Sequence, residues 1–299
     1  MLDWLRLLYS DIQTRMQRGK LHHGLIFHGK QGVGKAELCK SLAKLLLCKG
    51  TEANKPCGTC QSCKLFVAEN HPDFIQVVAD KSIGVDAVRG AISQLLHTSQ
   101  LSGSKVLFVD QAQLMTVAAA NALLKTLEEP TANTYILLTC QSLHELLPTV
   151  LSRCEKHAVA VTDKGQVINW LQQNHVSVEQ QLIDLYWQRP LFLRDLSNNE
   201  TASNLEILAN ISQGQSITQF PVSFFEQPEL VISWIQQWLS QRMKEALDNR
   251  LHLEQLLQFS QQLQGYKSRC NQQGSNKKLQ LSLCMADFAQ ISSLLVEKR

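Results

Sequence analysis

No stretch of this 299-residue sequence approaches the ~20 consecutive apolar residues that cross a bilayer as a helix, so a helical membrane span is excluded. No charge of one sign dominates: 29 Lys and Arg face 26 Asp and Glu, leaving +3. Residues 1–160 carry +4 and the remainder −1, without the heavy basic excess of a chain that grips DNA alone. Shared or indirect DNA contacts stay open. Internal repeats and long low-complexity tracts are missing as well. The N-terminus has no targeting pattern, because Asp3, Arg6 and Asp11 interrupt its apolar residues and no small-residue cleavage site follows. Leu2, Leu5, Leu8, Ile12 and Met16 instead suit an amphipathic helix.

What is present suffices for a packed core, with 44% hydrophobic and 18% charged residues. At about 150 residues per domain the length suggests two domains, with one or three also open. The nine cysteines are odd in number, and four of them fall within sixteen residues. That pattern favours a metal site in a reducing compartment over a disulfide framework, and hence a cytoplasmic protein.

Leu25, Ile26 and Phe27 form a short apolar strand that runs through Gly29-Lys-Gln-Gly32-Val-Gly34-Lys35-Ala36 into a leucine-rich helical pattern. Strand, glycine-rich turn and helix are the setting of a phosphate-binding loop, in which backbone N–H groups curl toward a phosphate and Lys35 adds charge. A tight turn without a ligand is the plainer alternative. Ala36 stands where a Ser or Thr hydroxyl would hold Mg²⁺. The apolar segment Lys105–Asp110 reads as a buried strand ending in an acid that would hold Mg²⁺ through water. The next residue is Gln111, where a proton-accepting Glu would polarise the attacking water. Two separate losses describe a retired hydrolytic site.

Cys48, Cys57, Cys60 and Cys63 have the spacing of a closed tetrahedral Zn²⁺ shell, structural because all four positions are filled by thiolates. Cys39 is out of phase with that set and reads as core. Further strands are expected at 74–78 and 135–139, the latter ending in Thr139, where a polar side chain would meet a γ-phosphate. Helices are expected at 85–97 and 118–129. Pro148 opens a short helix ending at Arg153-Cys154, where the arginine either caps helix-end carbonyls or acts elsewhere. After about residue 160 the pattern becomes helical. A boundary is expected near 214–221, apolar faces at Val231/Ile235/Trp238/Leu239, Leu253/Leu256/Leu257/Leu263 and Cys284/Phe288/Ile291/Leu295, and a polar connector at 267–278.

LLKTLEEP (123–130), LLPTVLSRC (146–154) and a four-cysteine insertion behind a phosphate-loop helix together resemble the bacterial clamp-loader branch of AAA+ proteins, which serves DNA polymerase III. The resemblance implies an α/β AAA+ P-loop parallel-sheet domain over residues 1–162 with a small structural zinc module at 48–63. A helical lid over 163–212 and an all-α collar over 213–299 follow from it. It also implies a hetero-pentameric ring with ATPase motor subunits and a clamp-opening delta subunit, acting on a sliding clamp and primed DNA within the polymerase (nucleotidyltransferase) holoenzyme. In that family Arg153 of the SRC motif reaches in trans, as an arginine finger, to ATP on a neighbour, and Arg194 in RPLFLRD resembles the lid arginine that contacts nucleotide. The chain's own site (Gly29, Gly32, Gly34, Lys35, Ala36, Asp110, Gln111, Thr139) is then degenerate, holding ATP or ADP weakly or not at all. An autonomous ATPase motor is the first alternative, disfavoured by GKA in place of GKT and DQ in place of DE. A zinc-containing nucleic-acid-binding protein is the second, disfavoured by the balanced charge.

Overall fold

The apolar segments of the first half lie side by side in a computed structural model that describes residues 2–50, 55–101, 103–178, 180–197, 207–208, 210–212, 225, 228–246, 250–271 and 275–296. The four expected strands are present: β1 (Gly24–His28), β2 (Phe74–Val77), β3 (Lys105–Val109) and β4 (Thr134–Cys140). A fifth, β5 (Glu155–Ala158), joins them at one edge. All pairings are parallel, in the order β2-β3-β4-β1-β5. The glycine-rich loop therefore leaves β1 between two neighbours, at the carboxyl end of a parallel sheet where such folds bind ligands.

Alternation along the strands divides the core. Ile26, Leu107, Val109, Ile136 and Leu138 meet Val88, Ala91 and Leu95 of α4 (Val85–Leu96) and Ala119, Ala120, Leu123 and Leu127 of α5 (Val117–Glu128). Leu25, Phe27, Val106, Phe108 and Leu137 are buried on the opposite face, and α2 (Lys35–Leu47) packs on β3 and β4. Cys39 is fully buried in α2, outside the cysteine cluster.

The edge strand β5 shows why it was not legible. Its sequence is Glu-Lys-His-Ala, and only His157 is buried. Position comes from tethers: Arg15 of α1 (Arg6–Gln17) grips both Glu155 oxygens, Nη2 reaching Oε2 at 2.6 Å, and the Val159 N–H donates to His28 O at 2.8 Å. His157 stacks on Phe27 with centroids 5.4 Å apart, and its Nε2 lies 3.4 Å from Glu155. Burial lowers the His157 pKa from 6.5, against the opposing pull of Glu155. His28 and His71 are lowered by burial as well. Because the folded values lie below the unfolded one, this stability is complete above pH 6.5 and is lost as pH falls toward the lowered values. Thermal melts across that range are expected to show a falling Tm, and a flat profile would contradict the buried neutral imidazoles.

Two buried polar residues close the sheet's amino end. Lys105 sends its ammonium to Leu95 O, to His97 O at 3.0 Å and to Thr131 Oγ1 at 2.8 Å, covering the carbonyls at the end of α4. The Asp73 carboxylate accepts from Ser99 Oγ at 2.8 Å and from the N–H groups of Gln100 and Leu101 at 2.8 and 3.1 Å. A buried charge needs this degree of pairing.

The chain divides into one unit of Met1–His175 with Trp187–Phe192 and another of Val176–Tyr186 with Leu193–Arg299. After the sheet come the short helices α7 (Lys164–Gln173), α8 (Gln180–Tyr186) and α9 (Pro190–Ser197), and in the second unit α10 (Pro228–Glu245), α11 (Arg250–Asn271) and α12 (Lys277–Val296) pack on one another. Phe288 sits among Trp234, Trp238 and Phe259, with centroids 6.0, 5.0 and 6.4 Å away. Two expectations are corrected here. Leu257 is 48% exposed because the buried face of α11 runs through Leu256, Phe259 and Leu263, and each residue turns about 100° from the last. The start of the expected connector, 267–271, continues α11, with Arg269 stacked over Tyr266 at 4.7 Å. The boundary expected at 214–221 lies outside the described residues. Of the expected faces, the Leu295 side chain is likewise outside them.

Candidate functional site

The phosphate loop needs its glycines. The Gly29 N–H donates to Cys140 O at 3.2 Å, and a Cβ at Gly29 would meet Val159 O at 2.1 Å. Gly32 and Gly34 take φ of +80° and +100°, and a Cβ on Gly34 would lie 2.5 Å from Leu2, so side chains are disfavoured by conformation and by space. Trp4 clips the loop from outside, its Nε1–H reaching Val33 O at 2.8 Å. Lys35 opens α2, and its ammonium donates to Gly29 O at 2.7 Å and Lys30 O at 3.0 Å. An ammonium has three protons, so one is left for a ligand. Burial lowers the Lys35 pKa, while nearby Asp110 opposes the shift. Ala36 follows with a methyl group that offers no lone pair to a metal.

Asp110, Gln111 and Thr139 converge at the ends of β3 and β4. The Thr139 hydroxyl donates to Asp110 Oδ1, while the Gln111 N–H donates to Thr139 Oγ1 at 2.8 Å and to Asp110 Oδ1 at 3.1 Å. Gln111 adopts φ +52°, uncommon for a residue with a side chain. Thr139 is thus engaged as both donor and acceptor within the chain.

A segment absent from the expected site lies against the loop. The Leu191 N–H donates to Gly32 O and Arg189 Nε to Gln31 O, both at 2.9 Å. Lys30 reaches Gln188 Oε1, and Arg189 stacks over Phe192 at 4.3 Å. Arg189 also acts on Lys35, lowering its pKa. The arginine brought to the loop is therefore Arg189. Arg194 belongs to the second unit, where its Nε and Nη2 hold Asp195 Oδ1 at 3.0 and 2.9 Å. Both lie in RPLFLRD, where the resemblance points to Arg194.

Arg153 follows α6 (Pro148–Leu151), with its side chain 32% exposed. Its Nε donates to Glu128 Oε1 at 2.7 Å and Nη1 to Thr149 O at 2.8 Å and Ser152 Oγ at 3.1 Å, while Nη2 also meets Glu128. Cys154 is buried against the first residue of β1: a Cβ on Gly24 would lie 3.0 Å from Cys154 Sγ and 3.3 Å from Arg153 O. Packing thus fixes the backbone that carries Arg153.

The four cysteines converge, with all Sγ atoms within 4.8 Å of one another. Bonds of about 2.3 Å to a tetrahedral Zn²⁺ imply S···S edges of about 3.8 Å, close to this spread. Backbone N–H groups already point at the sulfurs: Gly50 and Cys57 at Cys48 (3.3 and 3.2 Å), Cys60 at Cys57 (3.3 Å) and Cys63 at Cys60 (3.4 Å). The Cys60 N–H is the main cause of a Cys57 pKa lowered to about 6, which favours the ligating thiolate. The donor set and its geometry fit a structural metal. The cluster opens α3 (Gln61–Val67), an element the sequence reading did not anticipate. A buried chain of hydrogen bonds ties α3 to the sheet: Ser62 Oγ donates to Leu47 O at 2.6 Å, which leaves His71 Nε2 to donate to Ser62 Oγ at 2.7 Å. His71 Nδ1 then accepts from the Asp73 N–H at 3.0 Å.

The model of the family described as DNA polymerase III, delta subunit matches residues 5–162, more than half of the chain. DNA polymerase III subunit delta' of Yersinia pestis is 40% identical over 171 residues, 56% of this chain and 50% of that protein. The subunit delta' of Escherichia coli K12 is 39% identical over 171 residues, 56% of this chain and 51% of that protein. The chain spans about half the length of the curated relatives it matches. Among solved structures, a DNA polymerase III gamma subunit-related protein from Thermotoga maritima superposes with a TM-score of 0.53 at 18% identity, covering 97% of this chain and 100% of that one. That likeness supports the fold. No helix among the described residues is long and apolar enough to cross a membrane. Parallel sheet, phosphate loop, SRC turn and family match agree: the chain belongs to the DNA polymerase III delta-subunit family, on the branch of its delta-prime relatives.

Proposed function

We propose that this chain is a non-hydrolysing clamp-loader subunit of DNA polymerase III that acts on a neighbour's nucleotide rather than on its own. The observation that carries the reading is a surface guanidinium, Arg153, in a chain whose own phosphate loop lacks the groups for turnover: Ala36 supplies no ligand for Mg²⁺, and Gln111 accepts no proton. Docked against an ATPase neighbour, Arg153 stabilises the charge that develops on the transferred phosphoryl group. The partners are the ATPase motor subunits and the clamp-opening delta subunit of a hetero-pentameric ring, with the sliding clamp and primed DNA reached through the complex, in the cytoplasm.

The loop retains its glycines, and Lys35 keeps one proton free, so ATP or ADP binds weakly at most and without hydrolysis. Gly29, Gly32, Gly34, Lys35, Asp110 and Thr139 keep the roles the resemblance implies for a degenerate site, and Arg189 rather than Arg194 is the arginine at the loop. Cys48, Cys57, Cys60 and Cys63 hold a structural Zn²⁺. Residues 163–212 serve as a lid and 213–299 as a collar.

ATP turnover by the purified chain is the direct test. Alone it is expected to show none, and mixed with a motor subunit, clamp and primed DNA it is expected to stimulate theirs. Robust turnover by the chain alone would make it a motor in its own right.

A further inference from the structure

A guanidinium carries five N–H donors, and four of those on Arg153 are used inside the chain. Nε and Nη2 both meet Glu128 Oε1, and Nη1 meets Thr149 O and Ser152 Oγ. The side chain is thereby folded back onto the ends of α5 and α6. An arginine that acts on a phosphoryl group must present its N–H edge and its full charge to the phosphate oxygens. A carboxylate in contact with it takes both. That carboxylate would also stand close to phosphate oxygens of like charge, a repulsive arrangement.

We propose that Glu128 is a latch on Arg153: it holds the guanidinium folded back in the undocked chain, and docking exchanges the Glu128 carboxylate for phosphate oxygens of a nucleotide held by the neighbour. This rests on the trans-acting reading of Arg153 given above. Glu128 suits the exchange, because its side chain is 49% exposed and stays hydrated when released. Buried, its release would strand a charge at prohibitive cost. The Thr149 O and Ser152 Oγ contacts come from the preceding turn and hold Nη1, so the edge the exchange frees is the Nε–Nη2 edge that Glu128 occupies. Glu128 is therefore a positioning residue, acting through Arg153.

The test measures binding of the full chain to the remaining loader subunits loaded with a non-hydrolysable ATP analogue, and again without nucleotide. Glu128→Gln keeps the length and the acceptor oxygen and removes the charge. It is expected to tighten nucleotide-dependent binding about two- to fivefold, the scale of an exposed ion pair. No change is expected without nucleotide, and none in an Arg153→Ala background. Weaker or unchanged binding by Glu128→Gln, or the same shift with Arg153 absent, overturns the latch and leaves the role of Arg153 standing. Arg153→Ala that binds the loaded neighbours and supports their turnover like the wild type removes the trans-acting reading, and the latch with it.

Discussion

Chelation of the Zn²⁺ proposed for Cys48, Cys57, Cys60 and Cys63, or Cys63→Ser, is expected to lower the melting temperature of the first unit by on the order of 10 °C. The argument starts from the four sulfurs within 4.8 Å. Deprived of the ion, the four sulfurs lose the centre that binds them together, and α3 loses the point from which it begins. Structural Zn²⁺ contributes on the order of 10 kcal/mol in isolated finger peptides, but here α3 is also held by Ser62, His71 and Asp73. A loss of about 3–5 kcal/mol is therefore the expectation, at about 2–4 °C per kcal/mol for a unit of this size. Damage should spread along that same hydrogen-bond chain, from α3 through His71 to the Asp73 hub where β2 begins. Metal analysis should find one zinc per wild-type chain and none in Cys63→Ser. A chain that carries no metal, or melts identically with and without chelator, contradicts the structural role.

Arg153→Ala should leave the fold intact. Its side chain is half-buried, its ion pair with the exposed Glu128 is of the kind that contributes at most about 1 kcal/mol, and the backbone around it is fixed by Cys154 against Gly24. The functional loss should be far larger. An arginine supplied in trans accelerates phosphoryl transfer by about 10³–10⁵ at the site it faces. In a ring with several ATPase sites only the facing one should fail, so clamp- and DNA-dependent turnover should fall by at least that site's share. Arg153→Lys keeps a charge but loses the planar fork, and is expected to recover only part of the rate. The measurement is steady-state turnover of assembled complexes, normalised to the amount of variant incorporated.

The central sheet was legible because its strands are apolar runs: Val106–Val109 and Ile136–Leu138 are buried on both faces and look it. The edge strand β5 was not, because three of its four residues are exposed or half-buried and its place is set by Arg15, which lies 140 residues away along the chain. The cysteine cluster was readable from spacing alone, since ligand separation in sequence constrains ligand separation in space. Its attachment through Ser62, His71 and Asp73 was not, because isolated polar residues carry no periodic signal. The same holds at the loop. Gly29, Gly32 and Gly34 announce a conformation, whereas the approach of Arg189 depends on how 187–192 folds back. Glu128 stood in plain view within LLKTLEEP, yet only the geometry joins it to Arg153. In the helical third, Leu257 and Leu256 are equally apolar in sequence, and packing against α10 and α12 decides which one is buried.

Single-turnover ATP hydrolysis tests the account at its centre. The complex should be assembled so that the motor subunit facing Arg153 is the only one with an intact catalytic site, with clamp and primed DNA present. The account predicts that Arg153→Ala slows hydrolysis at that site by on the order of 10³, with assembly and nucleotide binding retained. Equal rates in the wild-type and Arg153→Ala complexes would contradict it.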